Sequence, residues 1–196
     1  MHLVFDILQG IGIAAAVGIR PFLPALVVGA LAAGDIQIDF VHSGYSFLQG
    51  GLFLLVMVIG AVLLGLTERR AFRQALGDRP LAYTLAAFSL ALGALLFAGS
   101  LARGHYAAWP GLIGGVVCAG VGVLATQPLL ARVRARLDAE SAATLPLLTE
   151  GTAVGAAVLS VLLPPVGVIV LGLLLWLLIA GRGRSDQKYA GLRILR

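Results

Sequence analysis

The sequence is poor in the groups that keep a protein surface soluble. Charged residues are 12% of its 196 positions, a single lysine (Lys188) stands against thirteen arginines, and asparagine is absent. Without asparagine there is no N-glycosylation acceptor. The one cysteine, Cys118, lies in an apolar run, so an intrachain disulfide is excluded and a small packing residue is expected there. The three histidines, His2, His42 and His105, fall with Asp6, Asp35 and Asp39 on one predicted side of the chain but match no ligand spacing, and no metal is expected. No His-Glu-x-x-His, phosphate-cradling glycine loop or Gly-x-Ser-x-Gly occurs, and Ser43-Gly44-Tyr45-Ser46 has no embedded base nearby. These absences argue against metal hydrolysis, nucleotide chemistry and intramembrane proteolysis. Neither an enzymatic activity nor a cofactor is expected. The first apolar segment has no lysine or arginine ahead of it and carries Asp6, which argues against a cleaved signal peptide despite Ala14-Ala15-Ala16.

Apolar residues fill the space left by these absences. Sixty per cent of the chain is hydrophobic and the mean hydropathy is +1.01, which sets the chain in the membrane class with the lipid bilayer as its first partner. Its net charge of +5 comes from basic residues that flank apolar runs, so membrane topology explains the charge and no nucleic-acid partner is expected. Five apolar stretches emerge: 3–33, 48–66, 81–101, 110–126 and 145–180. About 20 residues cross a hydrocarbon core of about 30 Å, so the middle three read as single transmembrane helices. The outer two are too long. As one straight helix, 145–180 would extend ~54 Å at ~1.5 Å per residue, so Pro164-Pro165 must break it, and Gly18-Ile19-Arg20-Pro21-Phe22-Leu23-Pro24 must break the first.

Charge placement orients these pieces. Arg69, Arg70, Arg73 and Arg79 follow the second stretch, Arg132, Arg134 and Arg136 the fourth, and Arg182, Arg184, Lys188, Arg193 and Arg196 the fifth, which predicts a cytoplasmic side for all twelve. The loop 35–47 has no lysine or arginine and the loop 102–109 only Arg103, so both are expected outside. The fifth stretch then enters and leaves on the same side, as a hairpin with Pro164-Pro165 near its tip and a basic cytoplasmic tail, 182–196, after it. Sliding 9–31 onto 150–172 without gaps pairs Gly10 with Gly151, Ala15 to Val17 with Ala156 to Val158, Pro24 with Pro165 and Val27 with Val168. Three spans between the two units would make them inverted repeats, an arrangement common among secondary transporters. The expected fold is therefore an all-α polytopic membrane protein: one integral domain, 1–181, with two proline-broken hairpins flanking three single helices.

Local signals fill in the plan. Asp78 before Arg79-Pro80 reads as a helix N-cap. Tyr106 and Trp109 suit an outer aromatic belt. Gly111 with Gly115, and Gly114 with Cys118 and Gly122, form faces for close helix packing within or between protomers. Gln127-Pro128 is expected to end the fourth stretch, leaving 129–137 as a basic amphipathic segment on the inner surface.

The string from Gly10 through Arg20-Pro21-Phe22-Leu23-Pro24 to Leu26, followed by Leu148-Thr149-Glu150-Gly151 and an apolar run through Pro164-Pro165, resembles the integral membrane proteins grouped as domain of unknown function 4126. The resemblance covers most of the chain. It implies a bacterial inner-membrane protein and carries no activity with it.

Apart from Asp6 at the outer end of the first stretch, Arg20 and Glu150 are the charged residues within the predicted spans. Arg20 lies about 25 Å below the outer boundary and Glu150 about 7 Å above the inner one at helical rise, so the two are expected to meet in the inner half of the bilayer, each lowering the cost of the other. Prolines in the first turn of a half-helix leave donors and the positive dipole end free, which makes Arg20, Pro21 and Pro24 a candidate anion site, with Gln9, Thr149 and Glu150 completing the ligand set. Glu150 is also a candidate proton carrier. The expectation is a small secondary transporter or flippase-like protein for an anionic solute or a lipid phosphate headgroup, working as a homo-oligomer. The alternative is a membrane scaffold in which Arg20 and Glu150 form a structural pair. Transport predicts a polar cavity reaching Arg20 and Glu150 from one face, whereas a scaffold predicts a dry, filled interior there.

Overall fold

The computed structural model describes residues 2–41, 43–74, 79–134, 136–137 and 139–190. Within them the chain is all-helical: α1 (His2–Ile19), α2 (Phe22–Ala33), a 3-10 turn (Ser46–Gln49), α3 (Gly51–Gln74), α4 (Arg79–Arg103), α5 (Trp109–Arg134), α6 (Ala139–Leu162) and α7 (Pro165–Ala190). Among the described residues, Ala82–Arg103, Trp109–Arg134 and Thr144–Leu162 are long and apolar enough to cross a membrane, and four shorter apolar helices accompany them. Leu52, Val62, Leu147, Ile169 and Trp176 are among the large apolar side chains that face outward. Water would not tolerate so extended an apolar surface, whereas lipid meets it without cost. The molecule is a helical membrane protein.

Helix α1 is the centre of the fold. It packs on α4, α5, α6 and α7, and Ile13, Ala14, Ala15, Ala16 and Val17 are fully buried. Small residues permit this crowding. A Cβ on Gly122 of α5 would meet the backbone of Ala15 and Gly18, and one on Gly167 of α7 would meet Leu8 O and Gly12 Cα. Where apolar side chains gain nothing by leaving lipid, such close backbone approach is a main source of helix association. The glycine face of α5 is used inside the protomer: Gly111 and Gly115 meet α4 at Ala98, Gly93 and Ala94, and Gly122 meets α1.

Both outer stretches break where the prolines cluster. After α1, Arg20 and Pro21 interrupt the ladder and α2 starts at Phe22; after α6, Leu163 and Pro164 do the same before α7. Helix α2 packs against α3 and α6, and α7 packs against α1 and α5. At one end of α4, Arg103 donates to the Asp6 carboxylate near the start of α1 and, at 2.7 Å, to the carbonyl of Gln37 after α2.

Several boundaries differ from the sequence expectation. Helix α5 does not stop at Gln127-Pro128 but runs to Arg134, so 129–134 is no separate surface segment. One proline costs one hydrogen bond, and here the last turns are held by packing: Ala125 is buried beside Leu174 of α7, and the Arg132 guanidinium lies over Gly181. Helix α6 begins at Ala139, ahead of the expected 145, and passes through Pro146. The segment 35–47 is more than an exterior loop. Ile38, Phe40 and Leu48 are buried, Phe40 and Leu48 lie against Gly99 of α4, and Gln49 Oε1 accepts the Phe40 N–H at 2.8 Å. Alternation of Ile38 and Phe40 with Gln37 and Asp39 was the signal for this inward face, while Ile36, in the same phase, stays exposed. The N-cap expected at Asp78 and the histidine at 42 lie outside the described residues, as do the side chains of the arginines at 69–79 and of the tail from 182.

Candidate functional site

The first break is built by two prolines that lose nothing by being there. Pro21 precedes α2 with helical φ and ψ of −75° and −44°, and Pro24 is the third residue of the helix. N–H groups at these positions have no intrahelical acceptor in any case, so proline starts α2 without removing a bond. On the other side of the break Pro21 cannot donate to Val17 O, which is why α1 ends there. Both prolines are buried.

Arg20, between the two helices, is 5% exposed. Its Nε and Nη2 each lie 3.2 Å from Thr149 Oγ1, and Nε lies 3.9 Å from Glu150 Oε1. Thr149 belongs to α6, where its hydroxyl sits 3.0 Å from Leu145 O and 2.9 Å from Pro146 O. The hydroxyl thus donates back into its own helix and offers its lone pairs to the arginine. The structure brings Arg20, Pro21, Thr149 and Glu150 to one place.

Gln9 is elsewhere. Its Nε2 donates to Val161 O of α6 at 3.1 Å, eleven residues from Arg20, about 16 Å along α1 at ~1.5 Å per residue. Pro165 has no N–H to give Val161 O, and Gln9 supplies the missing donor. Beside it, Asp6, 2% exposed, pairs with Arg103. A cavity of about 440 Å³ opens here, lined by Phe5, Asp6, Gln9, Gln37 and Arg103 on one side and by Val161 to Pro165 on the other. Arg20 and Glu150 are not among its lining residues, and the fully buried run from Ile13 to Val17 separates the two places. Sequence reasoning missed the Asp6–Arg103 pair. Each residue stands alone at a helix end, where a charge ordinarily reads as interfacial. Asp39 is likewise engaged locally, its Oδ1 accepting the Val41 N–H at 2.7 Å.

Among the described residues, helices with an apolar exterior and an arginine held inside by Thr149 and Glu150 are those of an integral membrane protein. The chain belongs to the family described as domain of unknown function (DUF4126), whose pattern matches residues 7–182. No curated protein and no solved structure gives a significant match.

Proposed function

We propose that this protein is a small secondary transporter, or a flippase-like relative, for an anionic solute or a lipid phosphate headgroup. One observation carries the reading. An offset of 141 residues takes Gln9 to Glu150 and Arg20 to Val161, so the Gln9–Val161 contact and the Arg20–Glu150 contact are images of each other. The same offset underlies the sequence echo around Pro24 and Pro165. Helix packing supports it, since α2 lies on α6 as α7 lies on α1. The two broken segments are thus read as opposed hairpins of an inverted repeat, joined to each other by one polar contact at each end. Arg103, which holds both Asp6 and Gln37, ties the two ends of the first hairpin together.

In this reading the conformation is open toward the outer cavity and closed at Arg20. Glu150 stands where the charge of a substrate would go. Protonation of Glu150 frees the Arg20 guanidinium and the N-terminus of α2 for the anion, and loss of the proton expels it, which couples the two. The C-terminus is cytoplasmic, the membrane is the bacterial inner membrane, and the working unit is a homo-oligomer. In proteoliposomes, pH-gradient-driven uptake of a phosphate or carboxylate anion is expected for the native chain and is abolished by Arg20→Ala. In Glu150→Gln, anion exchange persists while the pH gradient no longer drives it. A flux equal in the native chain and Arg20→Ala across a broad anion panel sinks the proposal.

A second reading has its own support. Arg20 is almost fully buried and bonded to Thr149, and the interior between the two polar contacts is filled. In a scaffold, the pair only fastens the first break to α6. The flux measurement separates the two.

A further inference from the structure

The first break holds one charge of each sign and few donors. Arg20 and Glu150 are both largely shielded from solvent, with Nε and Oε1 3.9 Å apart. Asp6 and Arg103, the other ion pair among the described residues, stand beyond the buried run from Ile13 to Val17 and offset each other there. Thr149 Oγ1 sits 3.0 Å from Leu145 O and 2.9 Å from Pro146 O, so its one proton is committed to its own helix and cannot reach a ligand. The Arg20 N–H donates to Ala16 O at 3.3 Å. The opening N–H groups of a helix lack an intrahelical acceptor, but at the start of α2 the prolines at 21 and 24 have none to offer, which leaves those of Phe22 and Leu23. A ligand at this break therefore meets one guanidinium and a pair of backbone donors.

An ion taken out of water into so enclosed a place needs an opposite charge beside it. One guanidinium matches one negative charge, and a dianion would leave a whole charge without a partner. On the transport reading of this same site, we infer that the substrate is a monovalent anion moved together with one proton, so that no net charge crosses the membrane. The class comprises carboxylates, sulfonates and phosphodiesters, free or carried on a lipid. It leaves out sulfate, dicarboxylates and phosphate monoesters in their doubly charged form. Empty, the Arg20 guanidinium is paired with the Glu150 carboxylate. Loaded, the proton sits on the Glu150 carboxyl and the anion takes its place at Arg20. Both forms sum to zero, and the O–H of Glu150 is the one bond made and broken in the cycle. Membrane potential acts only on charge that moves, so a cycle between two neutral forms is indifferent to it.

The test uses the full chain in proteoliposomes under a pH gradient, with the potential set by potassium and valinomycin. Soluble probes come in pairs of one and two charges: 2-hydroxyethanesulfonate with sulfate, and dimethyl phosphate with monomethyl phosphate at about pH 7.5, where the monoester is mostly a dianion. Fluorescent phosphatidylglycerol, with one phosphodiester charge, is the lipid probe and zwitterionic phosphatidylcholine its control, both read by dithionite quenching. The singly charged member of at least one pair should move faster than its control by about tenfold or more, a ratio set by leaving one charge unmatched. Its initial rate should be the same at zero potential and at about 100 mV. In Glu150→Gln the empty site keeps the arginine's charge, so the net movement that remains should follow the potential. A response confined to phosphatidylglycerol identifies a lipid as the source of the anion, and one confined to the soluble probes identifies a free solute. Equal movement of a dianion or of phosphatidylcholine, or a native rate that follows the potential, overturns the monoanion proposal and leaves transport standing. No movement of any probe above protein-free vesicles removes both. The comparison of potentials is made on the native chain, so it decides even where a variant does not fold.

Discussion

Arg20 shows how a residue that looks misplaced in the sequence is accommodated by contacts from far along the chain. A lone arginine deep in an apolar segment costs about 2.5–3.5 kcal/mol on insertion scales. Thr149 and Glu150 offset this from α6, with two 3.2 Å contacts and a looser 3.9 Å ion pair. Removing one member of the pair weakens the support of the other, so Arg20→Met should destabilise the protein by up to about 3–5 kcal/mol, while Arg20→Met combined with Glu150→Met should recover part of that loss. Reversible unfolding in mixed detergent across the four-member cycle measures it; additive losses would remove the coupling. The sequence exposed this site because both charges stand alone within apolar runs and helical rise places them at matching depth. It hid the outer contacts for the opposite reason. The partner of Gln9 is a backbone oxygen 152 residues away, which no side-chain pattern announces.

For the helices, prolines were informative in groups and misleading singly. Pro164 and Pro165 remove two successive donors, and Pro21 with Pro24 flank a helix start, so both places break. Pro128 and Pro146 each remove one bond, and α5 and α6 continue through them. The cost of one lost bond is within what packing against neighbouring helices can repay, and packing is not written in local sequence. Glycines divide in the same way. Gly167 lies against the backbone of α1, while nothing stands within 4 Å of a Cβ at Gly151. Gly167→Val should therefore cost about 1–3 kcal/mol by overpacking, and Gly151→Ala should be neutral or stabilise by up to about 1 kcal/mol. Unfolding midpoints of the two variants test the contrast, which sequence spacing alone could not draw.

For the whole molecule, membrane class followed from composition, whereas the packing of α4 to α7 around α1 did not. Its contacts come from α4 to α7, and small residues spread over four segments create the space for them. Orientation rests on charge bookkeeping. With Cys118 replaced by alanine, a membrane-impermeant maleimide applied to intact cells should label Ser43→Cys and leave Ser185→Cys unlabelled until the membrane is opened. Labelling in the reverse order would invert the proposed topology.

The central position of α1 also imposes a delay on synthesis. Arg20 emerges early, but Thr149 follows 129 residues later. At about 5–20 residues per second, some 6–26 s pass before the arginine meets its partner. Throughout that interval the segment carries an uncompensated charge and a broken helix, a poor candidate for release into lipid. Helix α1 is therefore made well before it can settle, and the insertion machinery is expected to shelter it until α6 arrives.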